Sequence, residues 1–235
     1  MTSSAPTVGH EHADVTGGWL RPAVFGAMDG LVSNFALIAG VAAGSGNRSV
    51  VILAGLAGLA AGAFSMAAGE YTSVASQAEH AQAEIAVERE ELRRNPTGEQ
   101  AELAAMYAAR GLDPDLAAEV ARQLHRNPET ALHVHAREEL GLTPGDLPSP
   151  RLAAGSSFLS FAVGALVPVL PYLFGASALW PAAVLALLGL FVCGAVVTTV
   201  TSRPWWYGGL RQLVLGAAAA ALTYAFGNAV GTGLG

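Results

Sequence analysis

Apolar positions run almost unbroken over five stretches of the chain, and polar ones crowd into the space between the second and the third. A bilayer core of about 30 Å needs roughly 20 apolar residues per helix. The stretches Pro22–Ala43, Ser49–Tyr71, Leu152–Phe174, Leu179–Thr201 and Leu210–Val230 each meet that length. Breakers separate them: "GSGNRS" after the first, "FGAS" after the third and "SRPWWYGG" after the fourth. The pattern predicts an all-α membrane protein with five spans and one polar helical insert. The domain reading is a disordered tail over 1–20, spans one and two over 21–73, the insert over 74–150, and spans three to five over 151–235.

The insert reads as one long helix followed by three short ones. From Glu70 to Asn95 there is no Gly or Pro, so the second span is expected to run on into the insert until Pro96 stops it. Thr97 and Gln100 are spaced as a capping box for the next helix, which Gly111 closes. Asp113–Pro114 and Asn127–Pro128 each pair a cap residue with proline at the first helical position, and Gly141 ends the last helix. "LTPGDLPSPR" leads back to the apolar stretches.

Composition sharpens this picture. The chain of 235 residues is 52% hydrophobic and only 13% charged, where a soluble domain carries roughly 25% charge. All twelve basic residues are arginine, which we attribute to a bacterial coding bias. With the N-terminus in the cytosol, the insert, Arg21, Arg203 and Arg211 all lie inside and Arg48 alone lies outside. Trp205, Trp206 and Tyr207 would mark the inner interface and Trp180 the outer one. The N-terminal segment lacks the basic-then-apolar order of a signal peptide. His10 and His12 belong to that tail, where solvated residues are expected. Cys193, alone, excludes an intramolecular disulfide and a cysteine-rich metal site.

Glycines four apart, Gly40 and Gly44, Gly58 and Gly62, Gly227 and Gly231, suit close helix approach. Pro168 and Pro171 break the third span, whose freed backbone groups need neighbouring protein. Five short spans per chain suggest a transport path assembled from two copies.

Candidate chemistry lies in two places. An ionisable residue within a span is costly and points to function by default, which singles out Asp29 and Glu70. Asp29 sits about seven residues past Pro22, roughly 10 Å along the axis at 1.5 Å per residue, and Met66 reaches a comparable depth on the second span. Glu70 is one turn below Met66. In the insert, Glu84, Glu88 and Glu91 share one helix face, Glu99 and Glu102 stand three apart, and His135, Glu138 and Glu139 fall within one turn. Carboxylates so arranged repel unless a cation lies between them, and imidazole adds affinity for transition metals. A helical bundle can hold such a site. The other reading is a solvated acidic face paired with Arg89, Arg93 and Arg94. His80, His125 and His133 are expected as surface residues rather than ligands.

The runs "GAMDGLVSNFALIAGVAAG", "GAFSMAAGEYTSVASQ", "EREEL…EQAEL…MYAARGL" and "HAREELGL" resemble the vacuolar iron transporter family over about Arg21 to Gly231. The resemblance implies a homodimer with five spans per subunit that exchanges cytosolic Fe²⁺ for protons, with a cytoplasmic metal-binding helical domain after the second span. By the same resemblance the pathway residues fall on Asp29, Met66 and Glu70. The domain's glutamates fall on Glu88, Glu91, Glu99, Glu102 and Glu139. Eukaryotic members often have a Met-Met pair where this chain has His135 and Ala136, so a harder ligand replaces a soft one. Mn²⁺, Zn²⁺ and Co²⁺ stand as alternative cargoes and domain ligands. No prosthetic group is implied, and no hydrolase, nucleotide or nucleic-acid motif occurs, so no enzyme activity is expected. The expected location is the cell membrane, among lipid, with the N-terminus cytosolic and the C-terminus outside. A membrane-anchored metal buffer without transport is the alternative.

Overall fold

The computed structural model describes residues 18–198 and 203–233. His10, His12 and Thr201 lie outside the described residues. Among these residues the chain is helical throughout and forms no strand: α1 (Leu20–Ser45), α2 (Arg48–Arg94), α3 (Pro96–Ala109), α4 (Pro114–Leu124), α5 (Pro128–Glu139), α6 (Pro150–Leu166), α7 (Leu170–Leu173), α8 (Trp180–Val197) and α9 (Trp205–Gly233). Two compact units result, one from residues up to Tyr71 together with those from Arg151 onward, the other from Thr72 to Pro150. The helix α2 supplies residues to both.

In the first unit α1, α2, α8 and α9 are long and apolar enough to cross a membrane. The third predicted stretch is instead divided between α6 and the single turn α7. Pro168 has no N–H to give, and its neighbours tighten: Val167 donates to Gly164 O at 3.3 Å and Val169 to Leu166 O at 2.9 Å. These are three-residue spacings, so the carbonyl of Ala165 is left for another donor. Asn34 on α1 supplies it, with Nδ2 2.6 Å from Ala165 O. "SRPWWYGG" also departs from expectation. Trp205, Trp206 and Tyr207 are the first turn of α9, because the stop signal is spent at Pro204 and nothing after it forbids helix.

The outer surface of this unit is apolar. Leu53, Phe64, Leu159, Leu222 and Phe226 are exposed while Asn34 and Ser157 are buried, the inverse of a soluble domain. Lipid offers no hydrophobic drive to bring helices together, so close backbone contact must do so. On α1, Gly26 and Gly30 lie against Ser157, Ser160 and Phe161 of α6, and Gly164 of α6 lies against Ala27. A second seam joins Gly40 and Gly44 of α1 to Thr223, Gly227 and Gly231 of α9. Two of the three glycine pairs read from spacing therefore belong to one seam. The pair Gly58 and Gly62 faces Asn34, Leu37 and Phe161 instead.

The second unit follows its caps. Asn95 accepts from Gly98 N at 3.1 Å, Asp113 from Asp115 N at 3.0 Å, and Asn127 from Glu129 N at 2.9 Å, each with proline directly after it. The cap of α3 is thus Asn95, not Thr97. Pro96 takes the first helical position, which places the helix start two residues earlier than the capping-box spacing implied. Ile85, Leu132 and Ala136 form the small core, with Leu92, Leu140 and Leu142 packed on it.

A side chain at Gly164 would run into the backbone of Ala27, and neither helix can yield locally. Gly164→Val should destabilise the first unit by about 1–3 kcal/mol, the range for overpacking. Gly155→Ala, where a Cβ meets nothing within 4 Å, is the matched control. Thermal unfolding in detergent should show a lower midpoint for the first and none for the second.

Candidate metal centre

The second unit brings four ligand-bearing side chains together, three of them buried and Glu139 exposed. Glu88 from α2, Glu99 from α3, and His135 and Glu139 from α5 each place a ligand atom within 4.8 Å of the others. Their local helices explain the convergence. Glu88 lies one turn from Ile85, Glu99 is in the first turn of α3, and His135 adjoins Ala136, so all three lie next to the small core. Glu139 follows His135 by one helical turn, which puts both on one face.

His135 is fully buried, and its Nδ1 lies 2.6 Å from Glu139 Oε1, 3.2 Å from Glu88 Oε1 and 4.0 Å from Glu99 Oε2. Glu88 Oε1 is buried and has no hydrogen bond despite that proximity, because the ring N–H plane serves Glu139. An orphaned carboxylate oxygen among two further carboxylates is a poor arrangement for protein alone and a good one for a cation. Burial first, then the charge of Glu139 and, in smaller part, those of Glu99 and Glu91, push the Glu88 carboxyl up to about 7 against the opposing pull of His135. Glu99 is raised too, chiefly by burial and then by Glu102. A hard–borderline set of three carboxylates and one imidazole suits Fe²⁺, Mn²⁺, Co²⁺ or Zn²⁺ better than a soft ion.

His125, expected at the surface, is half-buried and meets His135 edge to face, with 5.1 Å between ring centroids. Its Nδ1 lies 2.9 Å from Ala121 O. A carbonyl only accepts, so Nδ1 carries the proton and Nε2 of a neutral ring is an acceptor. His135 Nε2, 3.3 Å away, is then the donor between the rings. That leaves His135 Nδ1 toward the carboxylates, placed to face a cation bound among them. Outer partners of this kind fix the tautomer of ligand histidines. The ten-residue spacing from His125 to His135 crosses a helix break, so no periodicity marks the pair.

Other predicted residues stand apart. Glu91 and Glu102 are exposed and reach the cluster by charge rather than by position. Glu84 faces the exposed His80 at 3.8 Å, and Glu138 is ion-paired with Arg110. The solvated-face reading holds for part of the acidic set: Glu90 pairs with Arg93 at 2.7 Å and Arg94 at 2.6 Å. His133 is exposed.

In the first unit Asp29 and Met66 line one cavity of about 270 Å³, together with Ser33, Asn34, Ser65 and Phe161. Glu70, half-buried, is not among its lining residues. Asn34 and the two serines were not singled out from sequence, because a small polar residue in an Ala- and Gly-rich span carries no periodic signal.

Cations compete with protons at raised carboxyls. Affinity of the purified protein for Mn²⁺ should therefore climb as pH rises from about 5.5 and level off above the Glu88 value of about 7. Without cation, the folded cluster binds more protons than the unfolded chain between 4.5 and about 7, so its contribution to stability falls as pH rises through that window. Calorimetric titration at a series of pH values checks the first; a flat profile would contradict it. His125→Phe, which keeps the ring and removes the acceptor, should weaken Mn²⁺ binding about tenfold, as loss of a histidine-orienting partner does.

The VIT family model matches residues 20–228. The chain is 35% identical over 232 residues to Vacuolar iron transporter 1 of Oryza sativa subsp. japonica, covering 95% of this chain and 91% of that protein. It is 39% identical over 226 residues to Vacuolar iron transporter of Acanthamoeba castellanii, covering 93% and 81%. With Vacuolar iron transporter 1 of Arabidopsis thaliana the figures are 32% over 217 residues, 90% and 86%.

Proposed function

The chain belongs to the VIT family, and on that premise we propose that it carries a divalent cation, Fe²⁺ first among them, out of the cytosol in exchange for protons. The observation that carries this reading is the cavity that Asp29 and Met66 both line. The names of the relatives support iron as cargo, and Mn²⁺, Zn²⁺ or Co²⁺ fit the same donors. A carboxylate with a thioether beside it favours a first-row transition ion over Mg²⁺ or Ca²⁺. Within a bilayer, the charge of Asp29 has to be compensated by a cation or by a proton. Alternate loading of one site by Fe²⁺ and H⁺ is antiport.

In this reading Glu88, Glu99, His135 and Glu139 collect the cation on the cytosolic side, with Glu91 and Glu102 adding attraction at the rim. Glu70, one turn from Met66 on α2, receives it at the mouth of the path. The arrangement in the membrane is five spans, α6 and α7 together making the broken third, with the N-terminus and the metal-binding unit cytosolic. Two copies form the working unit, and the membrane is that of the cell.

Proteoliposomes with an imposed pH gradient test this. The wild type should accumulate Fe²⁺ in the lumen and dissipate the gradient, whereas Asp29→Asn should fall to background with its elution volume unchanged. Full accumulation by that variant would refute the pathway. Cation bound to the outer surface, with none in the lumen, would instead favour a membrane-anchored metal buffer.

A further inference from the structure

Asn34 is 2% exposed, and its amide is oriented without ambiguity. Nδ2 donates both protons, to Gly55 O of α2 at 3.1 Å and to Ala165 O of α6 at 2.6 Å. Turning the amide over would set Oδ1 against two carbonyl oxygens. Oδ1 is thereby held away from both, and it is buried with no hydrogen-bond partner. An acceptor left in that state is costly, because it loses its water partners and gains none. Nothing in the helix packing requires the loss, since the N–H groups alone do the joining.

Asn34 lines the cavity that Asp29 and Met66 also line. Gly58 lines it as well, and a Cβ there would stand 2.7 Å from Oδ1, with Leu37 the other nearby group. Glycine at 58 leaves the space beside the oxygen free of a Cβ. It is therefore set apart from the seam glycines, which meet backbone.

We propose that Asn34 Oδ1, kept open by Gly58, is a further ligand for the divalent cation in this cavity: a neutral oxygen beside the carboxylate of Asp29 and the thioether of Met66. The proposal rests on the transport reading. A neutral ligand adds no charge to be balanced by protons, so its effect falls on which cation is chosen and not on coupling. A hard oxygen favours Mn²⁺ over the more sulfur-tolerant Co²⁺.

The test compares Mn²⁺ and Co²⁺ uptake by the wild type, Gly58→Ala, Gly58→Ser and the control Gly69→Ala in proteoliposomes. A Cβ at Gly69 meets nothing within 4 Å. Gly58→Ala sets a Cβ against Oδ1 and Leu37 Cδ2, so a neighbour must shift, and it removes neither Asn34 N–H group. It should shift the Mn²⁺ to Co²⁺ ratio toward Co²⁺ by roughly fivefold, the scale of one lost polar contact. Gly58→Ser carries the same Cβ but returns an oxygen, and should move the ratio back toward the wild type. An unchanged ratio in Gly58→Ala, or an equal fall for both cations, would overturn the ligand role while leaving transport standing. Absence of uptake by the wild type would overturn the transport reading and this proposal with it.

Discussion

A helix broken in an apolar medium must find partners for the backbone groups it frees, and the first unit is organised around one such group. Pro168 takes an N–H out of the third apolar stretch, the turn tightens, and Ala165 O loses its helical donor. Asn34 answers from α1, and its second proton goes to Gly55 O of α2. One amide thus ties three helices together at the depth of the cavity. The backbone seams that set α1 against α6 and α9 bring the amide within reach, since without Gly26, Gly30 and Gly164 the helices could not approach so closely.

The second unit meets the opposite problem, too much charge in too little solvent. Three carboxylates surround one buried imidazole, and one carboxylate oxygen has no hydrogen bond. Protein packing alone would relieve this by turning a side chain outward, as Glu84 and Glu138 do, each toward a basic partner. The cluster residues are instead held by Ile85, Leu132 and Ala136 beside them, so relief has to come from a proton or a cation. His125 fixes which ring nitrogen of His135 faces the carboxylates.

The two sites use the same currency in different surroundings. In both, an anionic oxygen is placed where bare charge is unfavourable, and the two species able to neutralise it are H⁺ and a divalent ion. In the proposed function, that shared competition is what would make them parts of one transport process.

Much of this was legible in the linear chain. Hydropathy marked the apolar stretches, and proline and glycine placed the ends of α2 to α5, because those signals are local and act on the backbone directly. The carboxylate spacing put Glu88, Glu99 and Glu139 among the candidates. What spacing could not do was choose among them: Glu84, Glu91, Glu102 and Glu138 carry the same periodic signature, and only the packing of α3 and α5 on α2 decided which faced inward. The same holds for His125 and Asn34. Their roles depend on partners ten and 131 residues away across helix breaks, and a hydrogen bond between distant segments leaves no trace in the sequence of either. Local propensity and hydropathy were determined by the chain itself; the pairing of buried polar groups was decided by tertiary structure, because directional contacts need three-dimensional positions.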